Sequence, residues 1–389
     1  MTNILRSSAP KTALVAALAA AVLSGCGPSD GSKELAEGCA AYEVRNLEKA
    51  ERLFEKSLER APESVDALLY LARVKLDLGE LAAAKKFVTQ AATLANDADV
   101  RLVAAQVAFH QKDYAASVRD FRSVADDARL DSAVRAQAWS GVGTVEYACE
   151  NSHLARIAYL RALRLNFKDA SARYHLGLLY RDSFGYYAAA LEQFQIFARL
   201  EADATPRVQR VKLSFIPELQ KKINASNAAR PGASRRDSAA CAKAIARAAA
   251  AAKSGKNDTA RSEYDAALKS DPLSAPAALG LAQCWAKTAP SKKRGGEKKP
   301  TEQALKYYQT ACELAPSQVK TLLAAGAFAA KEGQPMRAAE FYSRAVAVSP
   351  TSLDALDGLI RAQRKLGRAK VAQAYQLYRD FLSTSTKRK

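Results

Sequence analysis

Histidine is scarce in this chain: His110, His153 and His175 are the only three in 389 residues, beside two tryptophans and two methionines. Lying far apart in sequence, they offer neither a His-based dyad nor a shared metal site. P-loop, GxGxxG, HExxH and GxSxG patterns are all missing. Acidic pairs such as Asp126-Asp127 fall in polar stretches between apolar segments, where solvated loop charge accounts for them. No enzymatic activity, catalytic residue, metal or cofactor is therefore expected. Six cysteines are present, and setting Cys26 aside leaves Cys39, Cys149, Cys241, Cys284 and Cys312, an odd set without CxxC spacing. That excludes a full disulfide framework and a zinc ribbon. Alternating runs of Val, Ile and Thr are missing too, which argues against strands. Alanine, the residue that costs a helix least, is abundant instead, and the fold class expected is all-α.

Charge is uneven. The formal net charge is +19, yet residues 27–224 hold 28 basic and 27 acidic side chains, whereas residues 225–389 hold 29 and 13. The basicity belongs to the C-terminal part, an asymmetry that points to a polyanionic or acidic partner.

The first 26 residues read as an address. Arg6 and Lys11 precede an uncharged run from Thr12 to Gly25, and no acidic residue occurs before Asp30. This is the layout of a secretory signal, and the run falls short of the roughly 20 residues that span a bilayer. Its end, Leu23-Ser24-Gly25-Cys26, resembles the bacterial lipobox, in which the cysteine takes a diacylglycerol. The resemblance implies lipidation at Cys26, a mature chain starting there, and attachment to the membrane through a lipid anchor. Gly27, where inner-membrane lipoproteins of many diderm bacteria carry Asp, implies the outer membrane facing the periplasm.

The rest of the chain repeats. Ala338, Phe341-Tyr342, Ala345 and Pro350 recur 34 residues earlier as Ala304, Tyr307-Tyr308, Ala311 and Pro316. Further copies read Ala260, Tyr264, Ala267-Leu268, Pro272 and Ala50, Phe54, Ser57-Leu58, Pro62. A small residue lets two helices approach, an aromatic four places on fills the gap, and proline ends the second helix. Trp139, Gly143 and Leu176-Gly177 mark first helices, and Gly79, Gly255, Gly333 and Gly367 mark the turns between helices. These residues resemble the tetratricopeptide repeat. The resemblance implies helix-turn-helix units forming a right-handed superhelical solenoid of about nine units, starting near Gly31, Val65, Ala98, Ala136, Ala170, Cys241, Ala275, Val319 and Leu353. Ser117 replaces the small alanine of the third unit, an extra residue falls around Phe184-Gly185, and the ninth unit carries about two. The aromatic stripe of Trp139, Tyr159, Tyr264 and Tyr342 is read as core.

Two interruptions divide the array. Residues 224–240 lack periodicity and carry Pro, Gly and Ser, so they are expected to link an N-terminal array of about five units (27–223) to a basic C-terminal array of about four (241–389). Inside the seventh unit an inserted basic loop, 287–301, replaces a tight turn.

The resemblance also implies a concave groove, lined by the first helices, that binds segments of other proteins. Lys253, Lys331 and Lys365 each stand two residues before a turn glycine, and Lys287 takes the matching place in the unit with the loop. Stacked repeats would align them as a basic rim, with Glu43, Asp77 and Asp182 as a negative edge at the other end. Ile245, Leu279 and Leu323, with Ala249 and Ala327, would form an apolar floor, suiting acidic or mixed acidic-apolar segments. Helix-end lysine is also favoured by the helix dipole without any ligand. The expected function is thus a non-enzymatic interaction scaffold of the bacterial envelope, binding other envelope proteins. The alternative is a binder of anionic lipid, lipopolysaccharide or cell-wall polymer through the basic half. Nucleic acid is not an expected partner of an exported chain.

Overall fold

The computed structural model describes residues 31–201, 205–234, 236–288 and 299–386, and these contain helices and no strand. They fall into two compact units, one ending at His175 and the next beginning at Leu176.

The first unit holds α1 (Ser32–Glu43), α2 (Leu47–Arg60), α3 (Val65–Leu78), α4 (Leu81–Leu94), α5 (Ala98–His110), α6 (Tyr114–Ala125), α7 (Ser132–Ala148), α8 (Ser152–Leu165) and the start of α9 (Ala170–Asp182). Polar residues open many of these helices: the side chains of Asn46, Ser64, Asp97, Asp113 and Asp131 each accept a backbone N–H of the first turn. The repeat aromatics do what their spacing implies. A Cβ added at Gly38 would meet Phe54 at 2.5 Å, and one at Gly143 would meet Tyr159 at 2.6 Å, so each ring lies flat on a helix backbone that only glycine leaves bare. Tyr159 is fully buried and stacks on His175, ring centroids 5.9 Å apart.

The second unit continues with α10 (Tyr187–Leu200), α11 (Pro206–Arg210), a π-helical turn (Val211–Phe215) and α12 (Ile216–Ala228), then α13 (Ser238–Lys253), α14 (Asn257–Ser270), α15 (Ala275–Thr288), α16 (Lys299–Leu314), α17 (Val319–Lys331), α18 (Pro335–Val348), α19 (Leu353–Lys365) and α20 (Ala369–Thr386). The Tyr342 ring sits against the helix α17 at Gly326 and against α19 at Gly358. Among the described residues the first helices of nine pairs start within four residues of the positions expected from the repeats. The expected irregularity at Phe184-Gly185 is real: Tyr186 N–H bonds back to the Tyr180 carbonyl, and Gly185 takes φ 65°.

The described residues add detail to the expected domain organisation. The expected linker 224–240 begins inside α12 and ends inside α13, and the division between units falls at His175 and Leu176 rather than there. Its middle is bound to the second unit. Arg236 grips Asp271 through two bonds of 2.7 and 2.9 Å, Arg230 meets Glu313 at 2.6 Å, and Asp237 N–H donates to the Ser270 carbonyl at 2.8 Å. Lack of apolar periodicity here reflects attachment by polar bonds rather than freedom. Residues 206–228 also form helix that the repeats do not announce, burying Val208, Val211, Phe215 and Leu219. Of the inserted loop, Lys287-Thr288 close α15 and Lys299 to Thr301 open α16, whereas 289–298 lie outside the described residues.

Candidate interaction surface

The ends of the first helices share one backbone device. Gly79, Gly255, Gly333 and Gly367 all have φ between 71° and 82°, as left-handed caps require. Three other first helices end the same way without glycine: Arg45, Lys112 and Glu150 take φ 65°, 64° and 61°. The following amide closes the turn in each, as Asn46 N–H does on the Ala41 carbonyl at 2.9 Å and Gln334 N–H on that of Ala329 at 2.9 Å. These caps give one register for the ends of the first helices in both units.

Counting back two places from each cap gives Glu43, Asp77, His110 and Ala148 in the first unit, and Lys253, Lys331 and Lys365 in the second. In the first-unit row Asp77 is neutralised, whereas Glu43 is exposed with no ion-pair partner among the described residues. Asp77 accepts from the Tyr42 hydroxyl at 2.7 Å and from Arg45 at 2.7 Å. Burial and the neighbouring Asp77 carboxylate push the Tyr42 phenol well above its ordinary range. His110 is pushed down by burial, against the opposing pull of Asp77. Equivalent places in successive repeats are thus close enough to interact. Of the negative edge expected from Glu43, Asp77 and Asp182, Asp77 is bound as described and Asp182 accepts from Arg181 at 2.6 and 2.9 Å, whereas Glu43 is exposed.

In the second unit Lys253, Lys287, Lys331 and Lys365 are all exposed, and none has an ion-pair partner among the described residues. The expected floor is less uniform. Ile245 packs into the core around Ala248, Tyr264 and Leu281, so it serves the fold. Leu279 and Leu323 are half-buried, and Ala249 and Ala327 are exposed. Lys365 lines a groove of about 260 Å³ with Ala327, Ala330, Tyr342, Gly358 and Arg361. The other three lysines do not line it. Arg361 was missed in the sequence, although it stands one turn before Lys365 on the same helix face.

Cys39, Cys241, Cys284 and Cys312 are buried and unpaired, and Cys149 is exposed. Burial pushes the Cys312 thiol up to about 12. Among the described residues no three His, Cys, Asp or Glu side chains cluster as metal ligands, and no helix is long and apolar enough to cross a membrane. Cys26 lies outside the described residues.

Consecutive helix pairs capped in one register, with a ring locked between glycine-bearing helices, define an all-helical repeat protein. Residues 41–107 in the first unit and 245–319 in the second each match a family described as tetratricopeptide repeat, and over those segments the chain is similar to that family. Among curated proteins none matches it. The solved structures it is similar to include the pilF protein of Pseudomonas aeruginosa, at 18% identity over 52% of this chain and 93% of that one, with a TM-score of 0.40. A crystal structure of the Cut9–Hcn1 hetero-tetramer of APC/C is similar at 14% identity over 95% and 82%, TM-score 0.36. MamA from Desulfovibrio magneticus RS-1 is similar at 16% identity over 45% and 97%, TM-score 0.35.

Proposed function

We propose that this protein is a non-enzymatic interaction scaffold of the bacterial envelope, held to the membrane by a lipid on Cys26 and gathering other envelope proteins on the groove side of its basic second unit. One observation carries the binding half of this reading: the helix-end lysines of the second unit are exposed and have no ion-pair partner among the described residues, whereas the equivalent Asp77 of the first unit is bound by Tyr42 and Arg45. Helix dipoles favour a lysine at such an end, but they do not explain why three cations of one unit stand in a single row with no carboxylate partner among the described residues. The envelope half rests on the sequence, on the signal layout and on Leu23-Ser24-Gly25-Cys26, with Gly27 favouring the outer membrane on its periplasmic side.

Cys26→Ser should move the protein from membranes to the soluble fraction, and persistence on membranes after a salt wash would contradict the anchor. Affinity capture of the solubilised protein should bring down defined proteins. The excess of basic residues in 225–389 supports a second reading, binding of anionic lipid, lipopolysaccharide or wall polymer. Polyanion binding should collapse as ionic strength rises, whereas a groove contact with an apolar component should persist.

A further inference from the structure

We propose that the groove beside Tyr342 is the seat for one bulky apolar side chain of a partner protein, on an acidic segment whose adjacent carboxylate meets Arg361 and Lys365. This rests on the reading of the chain as a protein-binding scaffold and names the chemistry of what it binds.

The first argument is a missing side chain. Three places before each left-handed cap the first unit carries the large residues Tyr42, Leu76, Phe109 and Tyr147, whereas in the second unit only the place before Gly367, Arg364, is large. Tyr42 packs edge-on against Tyr70, with ring centroids 6.2 Å apart, and Phe109 is buried. The same place in the second unit holds Ala252 and Ala330, with Ala286 beside Lys287. At Ala330 the result is open space of about 260 Å³, floored by Ala327, Ala330 and Gly358. That is below the roughly 300–1,000 Å³ of pockets for whole small molecules, and suits a single side chain.

Charge supplies the second argument. No acidic residue lines the groove. Arg361 lines the groove together with Tyr342, and neither Arg361 nor Lys365 has a carboxylate partner among the described residues. An apolar floor edged by two cations one helical turn apart is complementary to an apolar side chain with a carboxylate next to it, and to neither group alone.

The test uses the full chain and an eight-residue peptide with a central phenylalanine followed by two aspartates, read by fluorescence anisotropy. Replacing the phenylalanine by alanine, or both aspartates by asparagine, should each weaken binding about tenfold or more. Ala330→Phe fills the groove as Phe109 does in its own repeat, so the fold should accept it, and it should weaken the peptide to a similar degree. So should Arg361→Gln with Lys365→Gln. Indifference to the phenylalanine, or equal binding to Ala330→Phe, would overturn the proposal, as would preference for phosphatidylglycerol vesicles over the peptide. Capture of envelope proteins keeps the two readings apart. Capture undiminished by these variants removes the groove proposal and leaves the scaffold, whereas capture of nothing by the unaltered chain removes both.

Discussion

Where the first unit places Tyr42, Leu76, Phe109 and Tyr147, the second places Ala252, Ala330 and Arg364, and where the first neutralises Asp77 with Tyr42 and Arg45, the second leaves Lys253, Lys331 and Lys365 exposed. One repeat scaffold therefore carries two kinds of groove side. In the first unit polar and aromatic groups satisfy one another, and the row contributes to stability. In the second the small residues and unmatched cations contribute little to the fold. An identical helix-turn-helix frame tells little about binding, because the difference lies in two positions per repeat.

The largest effects should come from the rings that both units share. Tyr159→Ala removes a fully buried ring whose hydroxyl bonds Thr144 at 3.3 Å, and should cost about 3–5 kcal/mol by denaturant unfolding. Tyr342→Ala should cost less, because its ring borders the open groove. Equal losses would mean that the second unit is packed as tightly as the first.

The comparison sharpens at the rows. Asp77→Asn should destabilise by about 1–2 kcal/mol, since it weakens two bonds to a half-buried carboxylate, one from a guanidinium that water screens. Lys331→Gln and Lys365→Gln should each fall within about 0.5 kcal/mol of the unaltered protein. Comparable losses on both sides would erase the distinction drawn between the units.

Much of this was legible in sequence, for reasons that particular residues make plain. Alanine, aromatic and proline at fixed spacing report packing, and packing repeats from unit to unit. The same spacing aligned the lysines, whereas Cys26 was read from its resemblance to the lipobox and lies outside the described residues. Arg45, Lys112 and Glu150 concealed the register of the first unit because a non-glycine residue held left-handed by its surroundings leaves no signature. Their strain is testable: Lys112→Gly and Glu150→Gly should stabilise by about 0.5–1 kcal/mol, whereas Gly79→Ala should destabilise. The segment near residue 230 misled in the opposite direction, since Pro, Gly and Ser read as a linker while Arg230 and Arg236 bind Glu313 and Asp271. Arg361 escaped notice because its importance lies in which alanines surround it, and only tertiary structure shows that.

Acid should separate the units by sign. Burial raises Asp169 of the first unit to about 6. Between the unfolded value near 4 and that point the folded state binds the extra proton, so this residue's contribution to stability falls as pH rises through the window. Asp271 of the second unit is held below its ordinary value by Arg236, so its contribution is present above about pH 4 and is lost as pH falls through the depressed value. Unfolding measured from pH 3 to 7 should show the first slope flattened by Asp169→Asn and the second by Asp271→Asn.

The most direct test of the central claim replaces Lys253, Lys287, Lys331 and Lys365 together with glutamine and compares partner capture with unfolding free energy. The account predicts stability changed by no more than about 0.5 kcal/mol per site, and capture clearly weakened at low salt, mainly through slower association. Capture equal to that of the unaltered protein, with folding intact, would show that the row is helix-end decoration and that the second unit binds its partners elsewhere.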